Sequence, residues 1–98
     1  MLGANVRVGS GSIVGGDPQD LKFRGERTFV EIGDGTVLRE YVTVNRGTAD
    51  SERTVIGREC LLMSYSHLAH DCHVGDHVII SNASQVAGHV IIEDRVII

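Results

Sequence analysis

A strict period of six constrains this chain more than any other feature. Stepping by six from Leu2 gives Val8, Val14, Asp20, Glu26, Ile32, Leu38, Val44, Asp50, Ile56, Leu62, Leu68, Val74, Ile80, Val86, Ile92 and Ile98. Fourteen of these seventeen are Ile, Leu or Val, where the overall share of those residues gives about five by chance. Four residues after each falls a second series of small or β-branched residues, among them Val42, Thr48, Cys60, Ser66, Cys72, Val78, Ser84 and Val90. Gly, Asn or Asp often separates the two, as in Ile32-Gly33-Asp34-Gly35-Thr36. An α-helix needs apolar residues three and four apart, which a strict six does not supply. Short extended pieces alternating with turn formers predict instead an all-β solenoid of parallel strands.

This hexapeptide pattern resembles the left-handed parallel β-helix family, in which three hexapeptides make one triangular coil of about 18 residues. The resemblance implies that each aliphatic points inward and stacks on its equivalent one coil away, at about the 4.8 Å spacing of parallel strands. Two segments break the series. Residues 15–31 put Asp20 and Glu26 at ladder positions and hold the only proline, Pro18; residues 45–55 put Asp50 there. A carboxylate on the interior ladder costs several kcal/mol, so both segments are expected to leave the helix as protruding loops. Residues 1–98 then form a single domain. The series still runs at Ile98 with no polar cap, which predicts a piece of a longer solenoid.

Composition agrees with thin, similar layers. Phe23, Phe29, Tyr41 and Tyr65 are the only aromatics and there is no Trp, so large rings do not build the core. The net charge of −4 argues against a general binder of nucleic acid or of a bilayer surface. No apolar run approaches the roughly 20 residues of a membrane span, and no signal peptide is visible. Cys60 and Cys72 have neither the count nor the context of a disulfide framework and fall in the small-residue series, where packed, unreactive thiols are expected. The chain reads as cytoplasmic.

The register is unbroken from Ile56 onward, so stacking follows by adding one coil. His70 falls under Gly88 and Asp71 under His89, about one strand spacing apart. All four occupy turn positions and are expected to be accessible. Such a patch holds the parts of a general-base site: an imidazole to take a proton, a carboxylate to orient it and a glycine amide to stabilise an oxyanion. Polar residues at repeat turns also need no function at all. His67, His70 and His73 recur every three residues, a spacing that suggests zinc, but the register separates them around a corner of the coil. Gly9-Ser10-Gly11 and Gly33-Asp34-Gly35 fall at repeat turns and precede no helix, so they read as turns and not as phosphate cradles. Arginines and Lys22 near the two loops suit an acidic partner or a diphosphate.

Pro18-Gln19-Asp20-Leu21-Lys22-Phe23 with Gly25-Glu26, Val44-Asn45-Arg46-Gly47-Thr48, His67-Leu68-Ala69-His70-Asp71-Cys72-His73-Val74-Gly75 and Ala87-Gly88-His89-Val90 together resemble the UDP-N-acetylglucosamine O-acyltransferases that begin lipid A synthesis. The resemblance covers essentially the whole chain. It implies that a 3-hydroxyacyl chain moves from acyl carrier protein to the 3-hydroxyl of UDP-N-acetylglucosamine. His70 would be the general base and the Gly88 amide the oxyanion donor. Asp71 and His67 would support base and substrate, and Gln19, Asp20, Lys22 and His89 would contact sugar, diphosphate or acyl chain. It also implies a homotrimer, with loop 15–31 of one chain facing His70 of another, and no metal or organic cofactor. A metalloenzyme like the γ-class carbonic anhydrases and a non-catalytic β-helix used for assembly are the alternatives.

Overall fold

Each hexapeptide folds as a short strand and a tight turn. The computed structural model describes all residues, Met1–Ile98. Its strands are β1 (Arg7–Val8), β2 (Ile13–Gly16), β3 (Phe29–Ile32), β4 (Val37–Leu38), β5 (Thr43–Asn45), β6 (Arg53–Ile56), β7 (Leu61–Leu62), β8 (His67–Leu68), β9 (His73–Val74), β10 (Ile79–Ile80), β11 (Gln85–Val86) and β12 (Ile91–Ile92). They form three parallel four-stranded sheets, β1-β4-β7-β10, β2-β5-β8-β11 and β3-β6-β9-β12. Three such faces wind into a left-handed parallel β-helix.

The interior is the predicted ladder from Ile32 to Ile92, while its end members Leu2, Val8 and Ile98 stay exposed. Ile32, Leu38, Val44, Ile56, Leu62, Leu68, Val74, Ile80, Val86 and Ile92 are buried, with Val42, Cys60, Cys72 and Val78 of the second series beside them. Each buried Leu, Ile or Val contributes about 1.5–3 kcal/mol over an exposed one. That gain opposes the cost of the turns, where Tyr41, Glu59, Tyr65, Asp71, His77, Ala83, His89 and Arg95 all adopt left-handed backbone at φ 54° to 63°. A non-glycine residue there costs roughly 1–2 kcal/mol. Inter-coil hydrogen bonds compensate: Ala83 N donates to Ser64 O at 2.9 Å, His89 N to His70 O at 3.0 Å and Arg95 N to Asp76 O at 2.9 Å.

The pairing register locates the two loops. Val8 pairs with Leu38, Ile32 with Ile56 and Leu62 with Ile80, so successive coils take 30, 24 and 18 residues. The first loop therefore inserts twelve residues between β2 and β3, and the second inserts six between β5 and β6. Both are multiples of six, which is why the periodicity survives across them. The protruding parts are narrower than expected, 17–28 and 46–52. Phe29–Glu31 and Arg53–Val55 instead lengthen β3 and β6, because Phe29 pairs with Arg53 and Val30 with Thr54 as the chain rejoins the stack.

Both loops leave the same corner of the triangle, where the second sheet passes to the third. The turn from β8 to β9 carries His70 and Asp71 at that corner, and the turn from β11 to β12 carries Gly88 and His89. The four motifs singled out in the sequence thus lie one above another on successive coils.

Candidate active site

The expected stacking of His70 on Gly88 is direct. A Cβ built on Gly88 would lie 2.5 Å from His70 Cε1 and 2.6 Å from Nε2, so the imidazole rests where any other residue would put a side chain. The Gly88 N–H donates to no acceptor within the chain. The His70 and His89 rings meet edge to face, with centroids 4.8 Å apart.

Asp71 corrects one expectation. It stacks on His89 as the register requires, but its carboxylate is 0 % exposed where the His70 ring keeps 13 %. The 46–52 loop of the preceding coil folds over it. Asp71 Oδ1 accepts from Thr48 N at 2.8 Å and Ser51 Oγ at 2.9 Å; Oδ2 accepts from Thr48 Oγ1 and sits 3.1 Å from His70 Nδ1. The Asp71 amide donates to Thr54 Oγ1 at 2.9 Å. That hydroxyl stands in for the turn carbonyl which the inserted loop removes from the preceding coil.

These bonds decide the charge. Burial pushes the Asp71 carboxyl up, but donors from the Thr48 side chain and amide, from His70 and from Ser51 outweigh it and hold the group at about 2. An ionised carboxylate only accepts, so the proton in the 3.1 Å contact belongs to His70 Nδ1 and the lone pair to Nε2. A carboxyl held at about 2 in the fold against 3.8 ordinarily contributes about 2 kcal/mol. The sign follows from the depression: the contribution is complete above pH 3.8 and is lost as pH falls through about 2. Thermal melts across that range are expected to show a steeper acid loss in the wild type than in Asp71→Asn, which has no such group. Parallel pH curves would contradict the burial and bonding described.

The remaining predicted residues divide. His67 opens β8 and its Nδ1 lies 2.6 Å from Thr43 Oγ1; burial and the neighbouring His70 charge both push its imidazole down. Asp20 reaches the site, with a carboxylate oxygen within 4.8 Å of ring nitrogens of His70 and His89. Within the chain, Asp20 lies beside its own His70. The loop starts two coils away at the same corner and hangs over its own site. Lys22 is exposed and lines a small cleft of about 140 Å³ with Asp20, Glu26, Thr48, Ala49 and Asp50. Gln19 is exposed and makes no hydrogen bond to the rest of the chain through its side chain. The His67, His70 and His73 nitrogens do not form one cluster; the donors that converge are Asp20, His70 and His89, and Asp50, Asp71 and His89. Cys60 and Cys72 are free and buried, and burial pushes both thiols up, as packed, unreactive thiols require.

Thr48, Ser51, Thr54 and Asp50 are contributors that the spacing alone does not reveal. Arg46 is another. Its guanidinium donates to the Glu26 carbonyl at 3.2 Å, lies 4.9 Å from the centre of the Phe23 ring and meets Asp17 at 3.1 Å. Asp17 is 73 % exposed and its pairing adds little; the half-buried carbonyl and ring contacts do most of the holding. A charge-assisted bond is worth about 1.5–3 kcal/mol, so Arg46→Ala should raise the open population of the 17–28 loop about tenfold or more. Trypsin cleavage after Lys22, Arg24 and Arg27 reads this directly, and an unchanged rate would show that the loop is held by something else.

The family Bacterial transferase hexapeptide (six repeats) matches residues 53–84. An acyl-[acyl-carrier-protein]–UDP-N-acetylglucosamine O-acyltransferase of Gloeothece citriformis is 47 % identical over 94 residues, covering 96 % of this chain and 34 % of that protein. The Stenotrophomonas maltophilia protein of the same name is 45 % identical over 97 residues, covering 98 % and 37 %. Among solved structures, a UDP-N-acetylglucosamine acyltransferase from Bacteroides fragilis matches at 44 % identity and a TM-score of 0.90, over 92 % of this chain and 35 % of that one. The Francisella novicida enzyme matches at 36 % and 0.92, over 95 % and 34 %. The chain spans about a third of the length of these relatives. Repeat, coil geometry and sequence are thus all shared with the hexapeptide-repeat UDP-N-acetylglucosamine O-acyltransferases.

Proposed function

We propose that this chain carries the base and oxyanion half of an acyltransferase that moves a 3-hydroxyacyl group from acyl carrier protein to UDP-N-acetylglucosamine, the first step of lipid A synthesis. The observation that carries the reading is one imidazole seated between a buried carboxylate on Nδ1 and a glycine amide with no acceptor. His70 Nε2 takes the proton of the sugar 3-hydroxyl as its oxygen attacks the thioester carbonyl. The carbonyl electron pair moves onto oxygen, which the Gly88 N–H stabilises. Collapse breaks the carbon–sulfur bond, and the carrier thiolate leaves and takes the proton back from His70. Asp71 holds the ring in the tautomer this requires and stabilises the imidazolium. His67, His89, Gln19, Asp20 and Lys22 contact the nucleotide sugar or acyl chain, with Lys22 suited to a phosphate.

No metal or organic cofactor enters this scheme. The enzyme is read as a cytoplasmic homotrimer, in keeping with two free cysteines; no helix of the chain is long and apolar enough to cross a membrane. The test grafts residues 1–98 in place of the matching segment of the Gloeothece citriformis relative. Thioester cleavage that depends on the nucleotide sugar and yields O-acylated product is the expected result. A folded graft that cleaves without the sugar, or not at all, would overturn the reading.

A further inference from the structure

Two imidazoles and a carboxylate converge at the corner in a way that base catalysis alone does not require. Donor atoms of Asp20, His70 and His89 all lie within 4.8 Å of one another. His70 already has the outer partner that metal-bound imidazoles need: Asp71 accepts from Nδ1, which fixes the ring and turns the Nε2 lone pair outward. The surroundings are negative, since His89 Nε2 lies 3.7 Å from Asp50 Oδ2 and His89 Nδ1 3.8 Å from Asp71 Oδ2. Lys22, on the same loop as Asp20, is the one cation lining the adjacent cleft.

We propose that Asp20, His70 and His89 form a binding site for a divalent transition-metal ion, zinc above all, whose occupancy takes the lone pair that His70 would use as a base. Zinc is the choice because two imidazoles and one carboxylate match its preference, whereas calcium and magnesium want oxygen throughout. Zinc bonds of about 2.0–2.1 Å place tetrahedral ligands roughly 3.3 Å apart. The three donors must close by at most about 1.5 Å to meet that geometry. His89 is 47 % exposed and Asp20 sits on a protruding loop, so side-chain rotation supplies the movement. Water or Asp50 is available as a fourth ligand. Binding of the ion stands on the geometry alone; its inhibitory effect rests on the reading of His70 as the base.

Calorimetric titration of zinc chloride into the 98-residue chain is expected to show one saturable site. His89→Ala and Asp20→Asn should each weaken it at least tenfold, while His73→Ala and His77→Ala leave it unchanged and magnesium gives no heat. Imidazole nitrogen resonances of His70 and His89 should shift with zinc in step with the heat. Absence of saturable uptake, or equal loss on His73→Ala, would overturn the site. In the graft, zinc should abolish acyl transfer and a chelator should restore it. An active graft indifferent to saturating zinc overturns the blocking role. A graft inactive without metal overturns the acyltransferase reading, while the heats on the isolated chain still decide the metal site.

Discussion

His70→Ala in the graft is expected to lower kcat at least a hundredfold while the thermal transition stays within a few degrees of the wild type. General-base catalysis contributes about 10²–10⁴ in rate, and no other imidazole stands in the same relation to the Gly88 amide. The fold should tolerate the change because His70 lies in a turn and its carbonyl, which accepts from His89 N, stays in place. The buried Asp71 carboxylate loses one donor but keeps Thr48 N, Thr48 Oγ1 and Ser51 Oγ, so no unpaired charge is left inside. Wild-type kcat in a folded variant would remove His70 from the chemistry.

Gly88→Ala is the second large effect, and it acts through the same ring. The added methyl would stand 2.5 Å from His70 Cε1 and 3.1 Å from Nδ1. The ring must move away by about 1 Å, which breaks its bond to Asp71, and misplacement on that scale costs about 10² in rate. Gly88 does not use left-handed backbone, so the substitution carries no conformational strain and stability should hardly change. The two substitutions should not add. Once His70 is Ala, the methyl has no ring to displace, and the double variant should be about as active as His70→Ala alone. An additive loss would mean that Gly88 matters mainly through its amide.

The ladder was readable because, outside the two loops, an inward position recurs at every sixth residue whatever the turns contain. Both insertions kept that register, having lengths of twelve and six, so the same property that exposed the repeat hid the extra residues. His70 beneath Gly88 could be deduced because the coils after Ile56 are uninterrupted. Asp71 could not be placed in the same way. Its burial depends on Thr48 and Ser51, 23 and 20 residues earlier, reaching across from a preceding coil whose turn has been replaced by a loop. Arg46 escaped for a related reason: its partners Asp17, Phe23 and Glu26 come together only through the path of the 17–28 loop. Repeat geometry predicts what stacks, and inserted loops decide what becomes covered.

A buried, ionised Asp71 holds His70 with its lone pair on Nε2. Nitrogen NMR of the ring at neutral pH in the 98-residue chain tests this without any substrate. The expected spectrum shows His70 protonated at Nδ1 and bare at Nε2; a ring protonated at Nε2 and bare at Nδ1 would contradict it.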